Sequence, residues 1–402
     1  ALAALERHAE ALADFEAALA AGPNPIVFYN RGLALAALGR PAEAVASYDR
    51  TLALMASHAG AWSSRGVALQ ALNRHADAIA SFDRAIALEP DFADAHFNKS
   101  LALLAMGDYP RGQTEYEWRW KRSGAEHLRH NFGRPLWRGD DQLQRRTILL
   151  HAEQGLGDTI QFARYAPLLA RAGANVILET HPELKPLLAR LDGVRSVIAR
   201  GEARPAHDFH CPLGSLPMAF KTELSSVPAE IPYVSADAER VERWRPRLEA
   251  LGGPRVGLVW AGNAAHANDR NRSVPLALLR ALWGADTARV VSLQRDLRAG
   301  DAEMLAAAPV LQLGPELADF DDTAAVLAGC DLLITVDTSV AHLAGAMGRP
   351  VWLLLPFSCD WRWTAASDRS PWYPSARLYR QPQPGDWESV VARVASDLRA
   401  GL

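Results

Sequence analysis

The first third of the chain carries a pattern of apolar and small residues that repeats every 34 residues, as from Phe28 to Trp62. Each copy has a ring, a small residue, a second small residue and a second ring. These positions are Phe28, Gly32, Ala44 and Tyr48, then Trp62, Gly66, Ala78 and Phe82, then His96, Ser100, Gly112 and Tyr116, with a partial earlier copy at Glu10, Ala11 and Phe15. A period of this length predicts stacked helical hairpins. We expect the small residues where two helices cross and the second ring against the next repeat.

The pattern changes near Arg146, where short apolar runs begin to alternate with amphipathic helical stretches. The predicted strands are 147–151, 175–179, 196–198, 208–210, 255–260, 290–294, 310–312, 332–336 and 351–355, and the predicted helices include 159–171 and 238–250. This alternation predicts βαβ units and parallel sheets. A proline-rich bridge divides the strands into two groups, so we expect two doubly wound lobes that bind ligands at the carboxyl ends of their strands.

Composition excludes several classes of protein. Of the 402 residues, 49% are apolar and 22% charged, and the net charge of -3 gives no reason to expect nucleic acid as a partner. The longest apolar runs are too short to span a membrane, and no basic-then-apolar leader precedes Ala1, so we expect a cytoplasmic protein. Cys211, Cys330 and Cys359 lack the spacing of a zinc site or a disulfide framework.

Two strand-to-helix turns carry candidate chemistry, and the first spans 151–161. Gly155 and Gly157 turn the chain tightly and let a ligand approach the backbone at a helix N-terminus. The spacing is not the full GxGxxG fingerprint, so a nicotinamide cofactor is not indicated. Asp158 follows at the start of the helix. Its carboxylate is either a general base facing the cleft or the N-cap of the helix.

The second turn follows the predicted strand 332–336. Asp337, Thr338 and Ser339 are residues that cap helices, and the N–H groups of Ser339 and Val340 suit a diphosphate. His342 lies one turn inside the next helix. It either reaches a phosphate or a sugar hydroxyl, or it is a packing residue.

Further candidates lie between these turns. Arg270 and Arg272 follow the predicted strand 255–260, and their guanidinium groups either bind phosphate oxygens or form a solvated loop. Gln294 ends its predicted strand and is a candidate for a nucleotide contact. The segment 319–321 matches the DxD motif of metal-dependent transferases, but we expect Asp321 and Asp322 to cap the predicted helix 323–328.

The sequence leaves two possible roles for each of three aromatic segments. Trp361 and Trp363, and then Trp372 and Tyr373, either close the cleft near an acceptor or belong to the core. The seam at 115–138 contains Trp118, Trp120 and Trp137 among basic residues. These rings either join the repeats to the following domain or stack on nucleotide bases.

These patterns resemble two known families. The repeat is similar to the tetratricopeptide repeat (TPR) family over about residues 1–122, which implies a curved solenoid with a concave binding face. Gly157-Asp158-x-Ile160 after a first strand, together with Asp337-Thr338-x-x-x-His342-Leu343-Ala344, is similar to the heptosyltransferase family of GT-B glycosyltransferases. The stretch 116–387 also resembles bacterial TPR-fused glycosyltransferases, some of which are thought to glycosylate flagellin. The architecture is similar to that of O-linked N-acetylglucosamine transferase.

The resemblance implies a role for each motif. It implies that Asp158 is the general base, that Arg272 rather than Arg270 faces the leaving diphosphate, and that the reaction inverts the anomeric carbon without a metal cofactor. The donor-binding residues that we expect are Gly155, Gly157, Arg272, Gln294, Asp337, Thr338, Ser339 and His342. Ser339 stands where the heptosyltransferases usually have Gly, and this departure, like the repeats themselves, counts against a lipopolysaccharide acceptor.

We therefore expect an α-solenoid of TPR repeats followed by an α/β GT-B fold with two Rossmann-like lobes. The expected divisions are repeats at 1–122, a linker at 123–145, an N-terminal lobe at 146–236 and a C-terminal lobe at 237–402. The expected activity is transfer of a sugar from a nucleotide-sugar to a Ser or Thr hydroxyl of a protein held by the repeats, with flagellin as one candidate. The alternatives are a TPR adaptor with a decayed transferase domain and a sugar-nucleotide epimerase of the same fold.

Overall fold

The computed structural model describes residues 7–125, 132–266, 268–283, 288–365 and 367–401, which fall into two units. The first unit contains the described residues up to 125 together with the segment Asp360–Ala365. The second contains the described residues from 132 to Cys359 and those from 367 onward. The first unit is therefore not one continuous stretch of chain.

The first unit consists of helices of similar length joined by short loops. They are α1 (His8–Ala20), α2 (Pro25–Ala37), α3 (Pro41–Leu54), α4 (Ala59–Ala71), α5 (His75–Leu88), α6 (Ala93–Ala105) and α7 (Tyr109–Tyr116), and a 3-10 turn over Glu117–Lys121 follows the last of them. The 34-residue step carries the start of α2 at Pro25 onto the start of α4 at Ala59, and then onto the start of α6 at Ala93. The predicted helical repeat is confirmed.

The small residue early in each repeat is required by the ring of the same repeat. A Cβ on Gly32 would lie 2.4 Å from Cε1 of Tyr48, and a Cβ on Gly66 would lie 2.5 Å from Cε1 of Phe82. No methyl group fits at these distances in a close-packed interior. The second ring of these two repeats therefore closes its own hairpin. The Tyr48 side chain also hydrogen-bonds Ser64 of the next repeat, which is the kind of contact that the sequence suggested.

The segment Asp360–Ala365 packs on the last repeat of the first unit. The ring of Trp361 meets the ring of Tyr109 edge-on, with centroids 6.0 Å apart, and both side chains are buried. The Ala365 N–H donates to the Ala105 carbonyl at 3.4 Å. Of the two roles left open for this aromatic segment, the structure gives it the core of the repeat unit.

The tryptophans of the predicted seam fall into both units. Trp118 stacks on His96 in the first unit, with centroids 3.8 Å apart and planes within 2° of parallel. The Lys121 ammonium lies 3.8 Å from the centroid of the Trp118 ring. Trp137 lies in the second unit, where it meets Phe220 edge-on at 5.8 Å. Each ring is thus engaged by protein groups of its own unit.

The second unit contains two sheets in which every strand pair is parallel. The strands are β1 (Thr147–His151), β2 (Asn175–Thr180), β3 (Val194–Ala199), β4 (Phe209–Pro212), β5 (Arg255–Val259), β6 (Arg289–Ser292), β7 (Val310–Gln312), β8 (Leu332–Val336), β9 (Val351–Leu355) and β10 (Ala376–Arg380). The strand order is β3-β2-β1-β4 in the first sheet and β10-β9-β8-β5-β6-β7 in the second. We call the parts built on these sheets the first and second lobes.

Helices connect the parallel strands. They are α8 (Leu156–Ala163), α9 (Ala166–Arg171), α10 (Lys185–Leu188), α11 (Leu216–Ala219), α12 (Ala238–Glu249), α13 (Asp269–Arg272), α14 (Arg280–Trp283), α15 (Asp301–Ala306), α16 (Phe320–Ala328), α17 (Ser339–Ala346) and α18 (Trp387–Ala400). In α18 the apolar residues Val390, Val391, Val394 and Leu398 follow helical spacing and join the core of the second lobe. None of the helices in the described ranges is long and apolar enough to cross a membrane.

Some elements differ from the sequence-based expectation, among them one helix and one strand. The predicted helix 159–171 is divided into α8 and α9, because Pro167 has no N–H to donate to the Ala163 carbonyl. Strand β10 has no counterpart among the predicted strands. The parallel sheets and the helices between them otherwise confirm the predicted fold class.

Candidate functional site

The first turn places Asp158 inside α8 rather than at its N-cap. The N-cap is Gly155, and α8 begins at Leu156. Oδ2 of Asp158 accepts a hydrogen bond from the Gly155 N–H at 3.1 Å, and the Thr159 hydroxyl donates to the Gly155 carbonyl at 3.0 Å. These two bonds close the turn after β1 and fix the direction of the carboxylate.

Gly157 brings this turn directly against the second lobe. A Cβ on Gly157 would lie 2.7 Å from Cδ2 and 3.3 Å from Nε2 of His342 on α17. Only a residue without a side chain permits this approach. The two turns that the sequence singled out, far apart along the chain, therefore meet at one place in the fold.

The second turn leads from β8 into α17. Thr338 is the N-cap of α17, and its Oγ1 lies 3.3 Å from Oγ1 of Thr335. Ser339 and Val340 form the first turn of the helix, where backbone N–H groups have no acceptor within the helix. The aligned peptide dipoles give this end of α17 a partial positive charge. This is the end of the helix for which the sequence predicted an anion.

The loop after β5 reaches the same turn through Arg272. Nη1 of Arg272 donates to the Asp337 carbonyl at 3.1 Å. The guanidinium lies over Gly262, where a Cβ would be 2.5 Å from Nη2. Nε of Arg272 lies 3.8 Å from Oδ1 of Asp269. Arg270, the reserve candidate, is exposed on the same short helix. The structure thus brings Arg272 to the Asp337 turn.

Gln294 holds that loop in place. Its Oε1 accepts the N–H groups of Trp260 and Ala261, both at 3.0 Å, and its Nε2 donates to the carbonyls of Ala261 and Asp296 at 3.0 and 3.1 Å. All four hydrogen-bonding positions of the amide are therefore used by backbone groups. The structure gives this side chain a positioning role, and a nucleotide contact from it would require one of these bonds to break.

The DxD segment differs from the expectation in one respect. The N-cap of α16 is Asp319, which accepts the N–H groups of Asp321 and Asp322 at 2.9 Å. Asp321 and Asp322, which we expected to be the caps, lie in the first turn. They pair with arginines instead: Arg190 donates to Asp321 at 3.0 Å, and Arg243 contacts Asp322. The helix begins three residues earlier than predicted, which moves the cap to the first aspartate.

Basic and imidazole groups border the first turn on the side of the first sheet. Nδ1 of His181 lies 3.3 Å from the Thr159 hydroxyl, and Arg200 donates to the Ala152 carbonyl. Burial, together with the positive charge of Arg200, lowers the pKa of His181 to about 4. His181 is therefore neutral near pH 7 and places no charge beside the turn.

A pair of histidines lies on the neighbouring strands β1 and β4, with His151 ending β1 and His210 near the start of β4. Nε2 of His151 is 3.3 Å from Nδ1 of His210, and Phe132 stacks on both rings, with centroids 4.1 and 4.4 Å away. Burial lowers the pKa of His210 to about 4, with smaller contributions from His207 and Arg204. The sequence analysis did not single out this cluster.

Two further residues lie behind His342: Tyr373, whose role the sequence left open, and Arg164, which the sequence analysis missed. The Tyr373 hydroxyl lies 3.0 Å from Nδ1 of His342. Arg164 is buried, and its Nη1 donates to the carbonyls of Pro228 and Trp372, both at 2.8 Å. Arg164 and Trp372 are 208 residues apart in the sequence, so no local pattern predicts their hydrogen bond. Of the roles left open for Trp372 and Tyr373, the structure gives them the core.

Comparison with protein families supports this division of the chain. Residues 1–60 and 64–117 match the tetratricopeptide repeat model, and residues 283–369 match the model of glycosyltransferase family 9 (heptosyltransferase). The second turn, with Asp337 and His342, lies within the latter match, whereas the first turn, with Asp158, precedes it.

Individual proteins resemble the chain over different shares of its length. Protein FlbA of Caulobacter vibrioides is 30% identical over 324 residues, which cover 73% of this chain and 53% of that protein. The chain thus spans about half the length of this relative. Among solved structures, the glycosyl transferase family 9 from Veillonella parvula has 12% identity and a TM-score of 0.49 over 65% of this chain and 99% of its own. E. coli ADP-heptose lps heptosyltransferase II has 17% identity and a TM-score of 0.47 over 63% and 98%. This chain combines tetratricopeptide repeats with a glycosyltransferase family 9 (heptosyltransferase) domain.

Proposed function

We propose that this chain transfers a sugar from a nucleotide-sugar to a serine or threonine hydroxyl of a protein bound by the repeats. One observation carries the proposal: the base-bearing turn and the anion-binding turn meet. Gly157, next to Asp158, lies against His342, and Arg272 donates to the carbonyl of Asp337. The family 9 glycosyltransferase match supports the chemistry, and the repeat match supports a polypeptide partner.

The donor's diphosphate is proposed to lie at the N-terminus of α17. The N–H groups of Ser339 and Val340 and the helix dipole stabilise an anion there, and Arg272 adds a formal positive charge. The nucleoside diphosphate gains negative charge as it leaves the anomeric carbon. Groups already arranged for that charge lower the barrier, so the proposal requires no metal ion.

Asp158 is proposed to be the general base. The acceptor oxygen bonds to the anomeric carbon as the bond from that carbon to the diphosphate oxygen breaks, and the hydroxyl proton passes to the carboxylate. Attack opposite the leaving group inverts the configuration. The Gly155 N–H, which bonds Oδ2 at 3.1 Å, orients the carboxylate for this step.

The repeats are proposed to hold the acceptor polypeptide. Leu33 on α2 and Val67 on α4 occupy the same position of successive repeats, and 41% and 45% of their surfaces are exposed. Apolar side chains exposed at a regular step suit an extended polypeptide chain with apolar residues. The resemblance to flagellin glycosyltransferases makes flagellin the first acceptor to assay.

The test is the substitution Asp158→Asn. Asparagine keeps the size of the side chain and an oxygen that accepts the Gly155 N–H, but it loses the basicity. We expect sugar transfer to fall by about 10²–10⁴-fold while nucleotide binding and the melting temperature stay unchanged. Transfer of labelled sugar to acceptor measures the first quantity, and thermal shifts with UDP, GDP, ADP and CMP, with and without magnesium, measure the second. Full turnover of the variant would show that Asp158 only closes the turn.

The same assays separate the alternative functions. An epimerase would convert the nucleotide-sugar in the absence of any protein acceptor. An adaptor with a decayed transferase domain would bind the polypeptide but show no thermal shift with any of the four nucleotides.

A further inference from the structure

The two ring nitrogens of His342 face different groups, the Tyr373 hydroxyl on one side and the Gly157 turn on the other. Nδ1 lies 3.0 Å from the hydroxyl oxygen of Tyr373. Nε2 lies on the opposite side, 3.3 Å from the position that a Cβ on Gly157 would occupy. Only 5% of the His342 surface is exposed. A neutral imidazole carries its proton on one of its two nitrogens. The partner of Nδ1 therefore determines whether Nε2 donates or accepts a hydrogen bond at the Gly157 turn.

Tyr373 is held firmly beside the ring of His342. Its own ring rests on Gly345, where a Cβ would lie 2.4 Å from Cδ1 of Tyr373, and the side chain is fully buried. Burial raises the pKa of Tyr373 well above its ordinary value of 10.0. The phenol therefore keeps its proton at every working pH and is able to donate a hydrogen bond.

Arg164 lies behind the phenol and biases the direction of that proton. The guanidinium carbon is 4.8 Å from the centroid of the Tyr373 ring, and Nη2 donates to the Tyr233 hydroxyl at 3.2 Å. Tyr233 in turn donates to the Ile160 carbonyl at 3.1 Å. A guanidinium offers only donors, so a phenol oxygen beside it accepts and points its own proton away. The Tyr373 hydroxyl has two acceptors within reach, the Tyr233 hydroxyl and Nδ1 of His342 at 3.0 Å. The Tyr233 oxygen already accepts from Arg164, and an imidazole lone pair is a stronger acceptor than a phenol oxygen, so the Tyr373 proton is directed to Nδ1 of His342.

We propose that Tyr373 is a positioning residue whose O–H donates to Nδ1 of His342 and fixes the ring in the tautomer with the proton on Nε2. The Nε2–H then faces the Gly157 turn as a hydrogen-bond donor. In this form Nε2 has no lone pair, so His342 cannot accept the proton of the attacking hydroxyl there. This inference rests on the proposed function, in which the base role belongs to Asp158, and it adds a role for His342 as a hydrogen-bond donor to the nucleotide-sugar.

The first experiment reads the tautomer of the full chain directly. Nitrogen NMR of the protein labelled with ¹⁵N-histidine distinguishes a protonated ring nitrogen from one with a lone pair, and the spectrum of His342→Asn assigns the signals. We expect Nε2 protonated and Nδ1 unprotonated in the unsubstituted chain, and a mixture of tautomers in Tyr373→Phe. The opposite tautomer in the unsubstituted chain would overturn the proposal, whether or not any substituted chain folds.

The second experiment measures the consequence for nucleotide binding. Tyr373→Phe removes the hydroxyl and keeps the ring on Gly345. The matched control is Tyr379→Phe, which removes a buried hydroxyl that donates to Oδ2 of Asp397 at 2.8 Å in the same lobe. We expect the dissociation constant of the nucleotide that binds the unsubstituted chain to rise by about tenfold in the first variant and to stay unchanged in the second.

The two possible failures are distinguishable. Equal nucleotide affinities in Tyr373→Phe and Tyr379→Phe would reduce Tyr373 to a packing residue. A chain that binds none of the four nucleotides would remove the proposed function, while the tautomer in the NMR spectrum would still decide the role of Tyr373.

Discussion

Gly157→Ala adds one methyl group at the point where the two turns meet. That methyl carbon would lie 2.7 Å from Cδ2 of His342, whereas carbons in contact sit about 3.5–4.0 Å apart. The turn and α17 must therefore separate by about 1 Å. Overpacking of this kind costs about 1–3 kcal/mol, whereas replacing glycine by alanine within a helix gains up to about 1 kcal/mol. We expect a net loss of stability of about 1 kcal/mol.

Activity is the more sensitive measure of the same change. A displacement of about 1 Å between reacting groups lowers the rate by roughly 100-fold, so we expect that loss in kcat/KM for sugar transfer. The control is Gly329→Ala, where a Cβ would lie 2.5 Å from Cδ1 of Leu248, before β8 begins and thus at the end of that strand opposite the Asp337 turn. This variant should lose stability in the same way and keep its kcat/KM. Urea unfolding and steady-state kinetics of both variants test the reasoning. A Gly157→Ala variant that is more stable than the parent and fully active would refute it.

Two further predictions concern stability. Trp361→Ala should destabilise the repeat unit by about 3–5 kcal/mol, because it removes a ring packed against buried Tyr109. Urea unfolding followed by the circular dichroism of the helices measures this loss, and an unchanged urea midpoint would contradict it. Acidification should lower the free energy of unfolding, because His181 and His210 have pKa values lowered by burial from 6.5 to about 4. Between these values the unfolded chain binds protons that the folded chain does not, so stability is lost as the pH falls through that window. His210→Gln should flatten the dependence of the urea midpoint on pH, and an identical slope would exclude His210 as a source.

Local signals explain what the sequence alone could predict. The repeat follows from a fixed 34-residue step between Gly32 and Gly66, each of which must make room for a ring. Strand β8 has the predicted bounds, because an apolar run buried in a parallel sheet needs no distant partner to be recognised. The two turns were recognised for the same reason, since strand, turn and helix are adjacent in the chain.

What the sequence did not predict depends on distant partners. The amide of Gln294 stood at a strand end, but its hydrogen bonds go to Ala261, 33 residues earlier. The N-cap of α16 is Asp319 rather than the predicted Asp321 and Asp322. The Asp321 carboxylate instead accepts a hydrogen bond from Arg190, 131 residues away in the chain. Pairings of this kind are set when the tertiary structure forms, and no periodicity in a single sequence encodes them.

The segment Asp360–Ala365 belongs to the repeat unit, although it follows most of the transferase domain in the chain. The repeats and the transferase domain are therefore difficult to exchange independently of each other. A fragment that ends at residue 125 would leave Tyr109, now fully buried, without the ring of Trp361. A fragment that begins at 132 would carry Trp361 without Tyr109, the ring against which it packs. Recombination that brought a different repeat array to this transferase domain would have to replace, at the same time, a six-residue segment that follows β9. The array and the transferase domain are therefore expected to diverge together, and chimaeras of this chain should exchange both segments.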